Sequence, residues 1–482
     1  MRVFQPQCTI PEEGPAFIQQ PNVRSTMDIV WSSVFIIFLC TWSILHLNVP
    51  PQIRPLPPAK NFWETCRRGY FEGWYQFRRK SVWMVLAMLA PEYIFSQALR
   101  TNWCARKVTK LITEFLDDGK KEDEDVCWTM THSYYANMGG FVVKFDQDIP
   151  APDNDALLTQ HKDEIARWMK LMIDKCHQGY PRLGPFDWNV HAGHYKLVRK
   201  WLGSHETGHH DRYSARALMG DVWTLSARQL LKAREIGIID RFPTITEAEI
   251  KDKNKNEPLV KLLVMAQVLW LIIQLIIRAA TGRQSSQLEV TALAFAVCAF
   301  FTYLLLLQQP KDISTPTAIH ATRSPTYEEF CNIVIYSSAS GLFSPEWNTL
   351  HYAIPTDQTP YVNGEEPDTM PACNLAMAVF SAIHLIAWNS HYPNDTEQLL
   401  WRISALFTTV VPLIAVFLTY TARGEDTKSV TFSKIGAGFI FVSVVVFPIP
   451  RLYLLVEAFR STYFLPPTTY TGTWANSIPH IG

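Results

Sequence analysis

Residues 260–277 read VKLLVMAQVLWLIIQLII, an almost uncharged run that carries two glutamines. A helix needs roughly 20 residues to cross a hydrocarbon layer about 30 Å thick, so this run approaches the length of a membrane span. A spanning backbone must pair its own amides and carbonyls, which favours helices over isolated strands. Five further runs share this character: 29–47, 290–307, 375–388, 399–418 and 435–456. The sequence therefore predicts an all-α, polytopic membrane protein with six transmembrane helices.

Average composition hides this pattern, because 48% hydrophobic residues, 18% charged residues and a net charge of zero also suit a soluble enzyme. The charges concentrate between residues 100 and 257 and in the loops. No strongly basic stretch indicates nucleic-acid binding. The nine cysteines stand singly, without a C-x-x-C pair, so neither a zinc ribbon nor a disulfide scaffold is indicated.

The first apolar run predicts the orientation of the chain. No small-residue cleavage pattern follows it, so it reads as an uncleaved anchor after an N-terminal segment 1–28. The next loop contains seven basic and two acidic side chains, and by the positive-inside rule it is cytosolic. These residues are Arg54, Lys60, Arg67, Arg68, Arg78, Arg79 and Lys80 against Glu64 and Glu72.

A seventh apolar stretch, 82–99, carries Pro91 and Glu92 at its middle. A carboxylate facing lipid costs a few kcal/mol, so this stretch is predicted to be interfacial or re-entrant. If it spanned the membrane instead, it would be a seventh transmembrane helix and every later loop would change sides.

These assignments divide the chain into segments. Residues 29–47 form the first transmembrane helix, and 48–99 form the basic loop with the interfacial stretch. A mainly helical, cytosolic domain follows at 100–257, with helical periodicity at 107–116 and 155–176 and a capping box at Thr246 and Glu249. A five-helix membrane domain (258–460) and a tail (461–482) complete the chain. The single glycosylation sequon, at Asn394, is then expected in the lumen, with the endoplasmic reticulum as the membrane.

Three polar residues in the run 260–277 and just after it form the first candidate site. Gln267, Gln274 and Arg278 are separated by seven and four residues, which places them within about 40° of one another on a helix. Polar side chains in a span normally face other helices. They either bond neighbouring helices or line a ligand cavity. The next apolar run begins near Glu289, which is predicted to pair with Arg278.

Other embedded polar groups extend the candidate set. Glu92 follows Pro91, His384 lies within its run, and Arg451 follows two prolines at 448 and 450. A proline at a helix start and a nearby arginine attract an anionic group. The alternative is that the histidine and the prolines only serve packing.

A histidine cluster offers a metal alternative. His205, His209 and His210 read H-x-x-x-H-H, the shape of one histidine box in membrane desaturases and hydroxylases, and imidazole suits iron or zinc. A di-iron oxidase needs several such boxes, and the glycines around this one favour an ordinary polar loop. The sequence also lacks a P-loop, G-x-G-x-x-G, G-x-S-x-G, H-E-x-x-H and paired aspartate boxes. No metal and no cofactor is therefore predicted.

Several segments resemble a large group of fungal multi-pass membrane proteins, most of which have no assigned activity. They are 22–29 (NVRSTMDI), 89–92 (LAPE), 128–140 (WTMTHSYYANMGG), 267–278, 288–303 and 388–402. The resemblance covers nearly the whole chain and extends to the norbornene-forming Diels–Alderases of sordarin-type diterpenoid pathways. It implies a membrane enzyme of fungal specialised metabolism that cyclises an apolar terpenoid.

A cycloaddition is compatible with the missing motifs, because it needs an enclosing apolar cavity and a hydrogen bond to a carbonyl rather than a nucleophile. The partners expected are an apolar small molecule and the lipid bilayer, without nucleic acid. A transporter or sensor for small molecules and a metal-dependent membrane oxygenase remain the alternatives. The catalytic candidates are Arg278, Gln274, Gln267, His384, Arg451 and Glu92.

Overall fold

The computed structural model describes residues 24–50, 61–117, 125–145, 222–254, 258–323, 353–357, 370–422 and 446–472, with scattered residues between 325 and 362. Helices dominate these residues, and one small sheet accompanies them. Buried apolar side chains form two large clusters. One surrounds Trp270, Phe295 and Trp401 in a bundle of long apolar helices, and the other surrounds Trp128 and Phe141 beside the sheet.

In chain order the elements are α1 (Thr26–Ile44), α2 (Phe62–Leu89), α3 (Pro91–Asp117), α4 (Met130–Asn137), β1 (Phe141–Lys144), β2 (Val222–Thr224), α5 (Ala227–Glu235), α6 (Glu247–Asp252), α7 (Pro258–Ala280), α8 (Gln287–Leu305), β3 (Thr317–His320), α9 (Met370–Ala382), a 3-10 turn (Ile383–Ala387), α10 (Asp395–Ala422), α11 (Pro448–Arg460), a second 3-10 turn (Ser461–Phe464) and α12 (Pro467–Tyr470). In the bundle, α1 packs on α8, α9 packs on α10, and α11 packs against α8 and α10.

Four of the described helices are long and apolar enough to cross a membrane: Thr26–Ile44, Leu263–Ala280, Gln287–Leu305 and Asp395–Leu418. They match four of the six predicted runs. The run 375–388 forms a shorter apolar segment, because α9 tightens into a 3-10 turn near its end. The first half of the run 435–456 lies outside the described residues, and its second half contains the start of α11 at Pro448.

The stretch predicted to be interfacial or re-entrant is a sharp helical bend. The helix axis bends by 108° between the segments Gln76–Leu89 and Pro91–Asp117. On one arm, Lys80 pairs with Asp312 just beyond the end of α8, at 2.8 Å. On the other arm, the Asn102 side chain donates to the carbonyl of Leu305, the last residue of α8, at 2.8 Å. Both arms therefore reach the same end of the bundle, and the bend points into it.

Local sequence explains where helices begin. The Ser25 hydroxyl accepts the backbone N–H of Asp28, whose carboxylate accepts the Ser25 N–H, so α1 starts with a capping box. Thr246 and Glu249 make the same reciprocal pair at α6, which confirms the predicted box. Each cap satisfies amides that have no partner inside the helix and contributes about 0.5–2 kcal/mol.

The second core, around Trp128 and Phe141, is fixed by buried polar groups as well as by packing. The ring of His132 accepts the backbone N–H of Thr129 at its Nδ1 atom (3.1 Å), so its Nε2 atom carries the proton and donates to the carbonyl of Ile245 (2.8 Å). Burial lowers the pKa of His132 below its ordinary value of 6.5. The neutral ring therefore joins α4 to the chain segment before α6.

The sheet has the order β2-β1-β3, with β1 antiparallel to β2 and parallel to β3. Strand β3 comes from beyond α8, and Ile313, Ala321 and Ile333 belong to the same core as Trp128. This core thus includes residues outside the predicted domain 100–257 and inside the predicted membrane domain 258–460. Strands of three or four residues give too little alternation for a pattern to reveal them.

The turn between α4 and β1 generates a prediction. A Cβ atom at Gly140 would lie 2.5 Å from two ring carbons and the carbonyl oxygen of Tyr135. We expect Gly140→Ala to lower the free energy of unfolding by about 1–3 kcal/mol, because the buried ring has no room to move. Gly73→Ala is the control, since nothing lies within 4 Å of its added Cβ atom and alanine favours the helix. Denaturation of the purified protein in detergent measures both, and equal stabilities would contradict this packing.

Candidate functional site in the helix bundle

A cavity of about 200 Å³ lies where the end of α2, the 3-10 turn Ile383–Ala387, α8 and α11 meet. Two of its lining residues, Leu89 and Leu452, are 46% and 53% exposed on the outside of the bundle, so the cavity reaches that surface. The wall is largely apolar. Its lining consists of Met88, Leu89, Thr291, Phe295, His384, Pro448, Arg451, Leu452, Leu454 and Leu455.

The bend between α2 and α3 lies beside this cavity. Ala90 leaves the helical region (φ −143°, ψ 71°), and its N–H closes α2 by donating to the carbonyl of Leu86 at 2.8 Å. Pro91 has no N–H and disfavours the helical conformation of the residue before it, which explains a break at this point. Glu92 follows in the first turn of α3, where the helix dipole stabilises a negative charge.

Glu92 and Arg451 form a buried ion pair. The Nη2 atom of Arg451 lies 2.8 Å from the Oε1 atom of Glu92, and only 11% and 4% of the two side chains are exposed. The pair joins the bend after α2 to the first turn of α11. Both charged groups are shielded from water, so each is stabilised mainly by the other. Removing one partner of such a pair typically lowers the free energy of unfolding by about 3–5 kcal/mol.

The pairing leaves part of Arg451 unused. Its Nη1 atom is buried and has no hydrogen-bond partner among the described residues. A guanidinium group carries five N–H donors, and a buried donor without an acceptor costs free energy. Because Arg451 also lines the cavity, this donor is available to an acceptor there, such as a carbonyl or carboxylate oxygen.

His384 lies on the wall of the same cavity. Its Nδ1 atom is 3.3 Å from the carbonyl oxygen of Ser381, which can only accept, so Nδ1 carries the proton. In the neutral ring Nε2 is then an acceptor. The indole of Trp401 donates to the His384 carbonyl at 3.3 Å and lies against the ring, which fixes the turn. The cavity therefore has one cationic donor and one imidazole acceptor in its lining.

The three polar residues of α7 are buried, as their spacing predicts, but none of them lines this cavity. Gln267 and Gln274 are 4% and 3% exposed, and their Oε1 atoms have no hydrogen-bond partner among the described residues. The six predicted site residues thus separate into two groups. His384 and Arg451 line the cavity, and Glu92 contacts Arg451. Gln267, Gln274 and Arg278 lie along α7.

The predicted pairing of Arg278 with Glu289 is replaced by a different one. Arg24, just before α1, binds Glu289 through both guanidinium branches, at 2.5 and 3.1 Å, and the pair is buried. Glu289 also accepts the N–H of Ser286 at 2.8 Å. Arg24 can approach because α1 packs along α8 with both N-termini at one end of the bundle.

Arg278 instead holds the C-terminal segment. Its guanidinium donates to the carbonyl oxygens of Thr469 (2.9 Å) and Thr471 (3.0 Å) and to that of Gln284. Arg24 donates to the carbonyl of Thr469 as well, at 2.8 Å. We call Arg24, Arg278 and Glu289 with these carbonyls the terminal clasp, because it joins α1, α7, α8 and α12. This role is structural.

Two other predicted sites lie elsewhere. His205, His209 and His210 fall outside the described residues. Within the part of the chain that the structure describes, no group of three His, Cys, Asp or Glu side chains is arranged to hold a metal ion. Asn394 is exposed and caps α10 by accepting the N–H of Glu397 at 2.9 Å. It follows His391, whose carbonyl accepts from Gln287 at the start of α8, so it lies at the end of the bundle away from the sheet.

Sequence reasoning missed part of the cavity wall. Thr291 and Phe295 belong to an apolar run without any mark that distinguishes them from other buried positions. Their spacing of four residues puts them on one helical face, but the face that meets Arg451 depends on how distant helices pack. Arg24 lies before the first apolar run, and no sequence pattern links it to Glu289, so this pairing could not be predicted.

The fold and the site define the class of protein: a helical protein in which four or five apolar helices among the described residues could span a membrane, with an ion pair and a cavity in the helix bundle. The chain belongs to a family of unknown function, DUF8562, which matches residues 3–162 and 226–358. Glu92 and the polar residues of α7 lie within the matched ranges, and His384 and Arg451 lie beyond them. No curated protein and no solved structure matches the chain.

The terminal clasp generates a second prediction. We expect Arg24→Met or Glu289→Met alone to lower the free energy of unfolding by about 3–5 kcal/mol, because each leaves a buried charge unpaired. The double variant should lose less than the sum of the two single losses. Titration with a denaturing detergent measures all four proteins, and strictly additive losses would contradict a direct interaction between the two side chains.

Proposed function

We propose that the protein is an integral membrane enzyme of fungal specialised metabolism that catalyses a cofactor-independent intramolecular cyclisation of an apolar terpenoid, of the Diels–Alder type. The observation that carries the proposal is the buried Nη1 atom of Arg451, which has no partner among the described residues and belongs to the wall of an apolar cavity. The proposal includes six transmembrane helices, a re-entrant bend at Pro91 and residence in the endoplasmic reticulum.

The chemistry requires little from the protein beyond position and polarisation. A cycloaddition forms new carbon–carbon bonds from existing π bonds, and no atom or electron enters or leaves. Holding diene and dienophile in a reactive pose can supply several kcal/mol of the barrier. A hydrogen bond from Arg451 to a carbonyl on the dienophile makes that partner more electrophilic, and it is strongest in a site without water. Glu92 acts as a positioning residue by fixing the other branch of the guanidinium.

The size and opening of the cavity suit a substrate that arrives from lipid. At about 200 Å³ the cavity is smaller than the 300–1,000 Å³ of typical small-molecule sites, so it accepts the reacting part of a larger molecule. Leu89 and Leu452 at the outer surface would contact acyl chains in a bilayer. An apolar terpenoid dissolved in the membrane reaches Arg451 along that side without crossing water.

A transporter or sensor is the second candidate, and the bend at Ala90 favours it. Broken helices whose ends face a buried site are common in secondary transporters. In that case Arg451 binds an acidic or carbonyl group of the cargo and releases it unchanged. A metal-dependent oxygenase rests only on His205, His209 and His210, which lie outside the described residues.

The test compares microsomes that contain the protein with matched empty microsomes, each incubated with an apolar extract of a strain lacking the gene. An isomer of unchanged mass, formed only with the protein, is expected. A product heavier by one oxygen, lost when the three histidines are replaced, would support the oxygenase. Uptake without any new product would support transport.

Variants of Arg451 test the site. We expect Arg451→Lys to keep the charge opposite Glu92 but to slow isomer formation about tenfold, equivalent to 1.4 kcal/mol, because a lysine cannot hold Glu92 and bind the substrate with a planar fork. Arg402→Gln is the control, since Arg402 contacts Trp388 and Asn389 away from the cavity. Unchanged rates in Arg451→Lys, at equal protein level, would exclude this donor.

Asn394 tests the membrane orientation. We expect an endoglycosidase-sensitive mobility shift that Asn394→Gln and Thr396→Ala abolish and Thr396→Ser retains, because the sequon requires a hydroxyl. Asp125→Asn with Cys127→Thr creates a sequon on an exposed turn beside the sheet, at the opposite end of the bundle. That sequon should stay unmodified. Modification at 125 and not at 394 would reverse the proposed topology.

A further inference from the structure

Helix α2 carries a row of exposed aromatic side chains, Trp63, Tyr70, Trp74 and Phe77, which are 81%, 66%, 53% and 57% exposed. Successive members are separated by seven, four and three residues, so at about 100° per residue all four lie within about 60° of one another. The row is about 21 Å long at about 1.5 Å per residue. We call these four residues the aromatic stripe. A contiguous exposed apolar surface of this kind marks a binding surface.

The aromatic stripe continues into the part of α2 that belongs to the bundle. Val85 and Leu89 are exposed as well, and with the stripe they occupy an arc of about 120° along one side of the helix. Trp83 and Leu86, on other faces, pack with the buried bundle core. Met88 lies within the arc and lines the cavity beside Leu89. The face of α2 that would contact lipid at Val85 and Leu89 is therefore the same face that carries the aromatic stripe in the first half of the helix.

The course of α2 brings the aromatic stripe to the end of the bundle. Helix α3 packs along α8, and the chain direction changes by 108° between α2 and α3, so α2 runs outward from the bundle rather than alongside α8. Its middle passes the end of α1, where Arg79 donates to the carbonyl of Asn48 and the ammonium of Lys80 lies over the ring of Trp42. The first half of α2 then extends beyond α1 at the level where the apolar helices end.

We propose that residues 62–77 lie in the interfacial layer of the bilayer, with the aromatic stripe turned toward the lipid. This layer is on the side of the bundle where the core around Trp128 and the sheet lie. Tyrosine and tryptophan are enriched in this layer because their rings combine an apolar body with a polar group. A helix with one apolar face binds there by burying that face at the boundary between headgroups and acyl chains. The partner is thus the lipid surface itself. The inference depends on membrane insertion and not on cyclisation.

The test uses nitroxide labels on the full-length protein in lipid nanodiscs, after replacement of the reactive native cysteines by serine. One label replaces Trp74, in the aromatic stripe. The matched control replaces Gln76, which is also exposed but lies about 160° around the helix from Trp74. Collision with oxygen, which concentrates in lipid, is compared with collision with a water-soluble nickel chelate.

We expect the ratio of oxygen to nickel collisions to be several-fold higher for Trp74→Cys than for Gln76→Cys. Equal ratios with strong nickel collisions at both positions would mean that the helix stands in water and would overturn the proposal. Weak collisions with both reagents at position 74 would mean that protein covers the stripe, such as a second copy of the chain, and would overturn it too. Normal isomer formation in either case would leave the proposed enzyme intact.

Discussion

The pairing of Glu92 with Arg451 inside the bundle is the interaction on which the candidate site depends. A carboxylate and a guanidinium that have both lost water are tolerated only when they lie close together. Their distance of 2.8 Å holds the first turn of α11 against the bend between α2 and α3. The cavity is enclosed by these same elements and by α8. The ion pair between Glu92 and Arg451 therefore fixes the position of the Arg451 guanidinium in the cavity wall.

The bend itself follows from covalent chemistry rather than from packing. Pro91 removes a backbone donor and disfavours a helical conformation at Ala90, so two helices replace one. A single straight helix would carry Glu92 along the bundle, whereas the bend places it at a helix start beside Arg451. Because both arms contact residues at the same end of α8, the bend points into the bundle.

The terminal clasp and the cavity use their arginine side chains differently. In the clasp, Arg24 pairs with Glu289, and both Arg24 and Arg278 donate to carbonyls of the C-terminal segment. Every side-chain nitrogen of Arg24 and Arg278 has an acceptor among the described residues. At the cavity, by contrast, the Nη1 atom of Arg451 finds no acceptor among the described residues. Arg278 in α7 and Arg451 in α11 therefore have different roles. The N–H donors of Arg278 bind backbone carbonyls, whereas the Nη1 atom of Arg451, a residue of the cavity wall, has no acceptor among the described residues.

How far the sequence could predict these features depended on how local each one was. Apolar length and periodicity predicted four helices, the inward face of Gln267, Gln274 and Arg278, and the cap at Thr246, since each depends on neighbours within a few turns. The stretch 82–99 was predicted to be interfacial or re-entrant because proline and glutamate interrupt it, and the structure has a helical bend there. The partner of Arg278 was predicted incorrectly. Glu289 is the acidic residue nearest to it in the sequence, but in the fold Glu289 pairs with Arg24.

Long-range contacts explain what the sequence could not provide. Glu92, His384 and Arg451 were each selected as unusual polar groups among apolar neighbours. Only tertiary packing brings His384 and Arg451 to one cavity and places Glu92 against Arg451. The sheet escaped detection for the same reason, because β3 joins β1 from beyond α8. An isolated intramembrane charge is a functional candidate by default. Its partners determine whether it holds the fold together or faces a ligand, and those partners come from the tertiary structure.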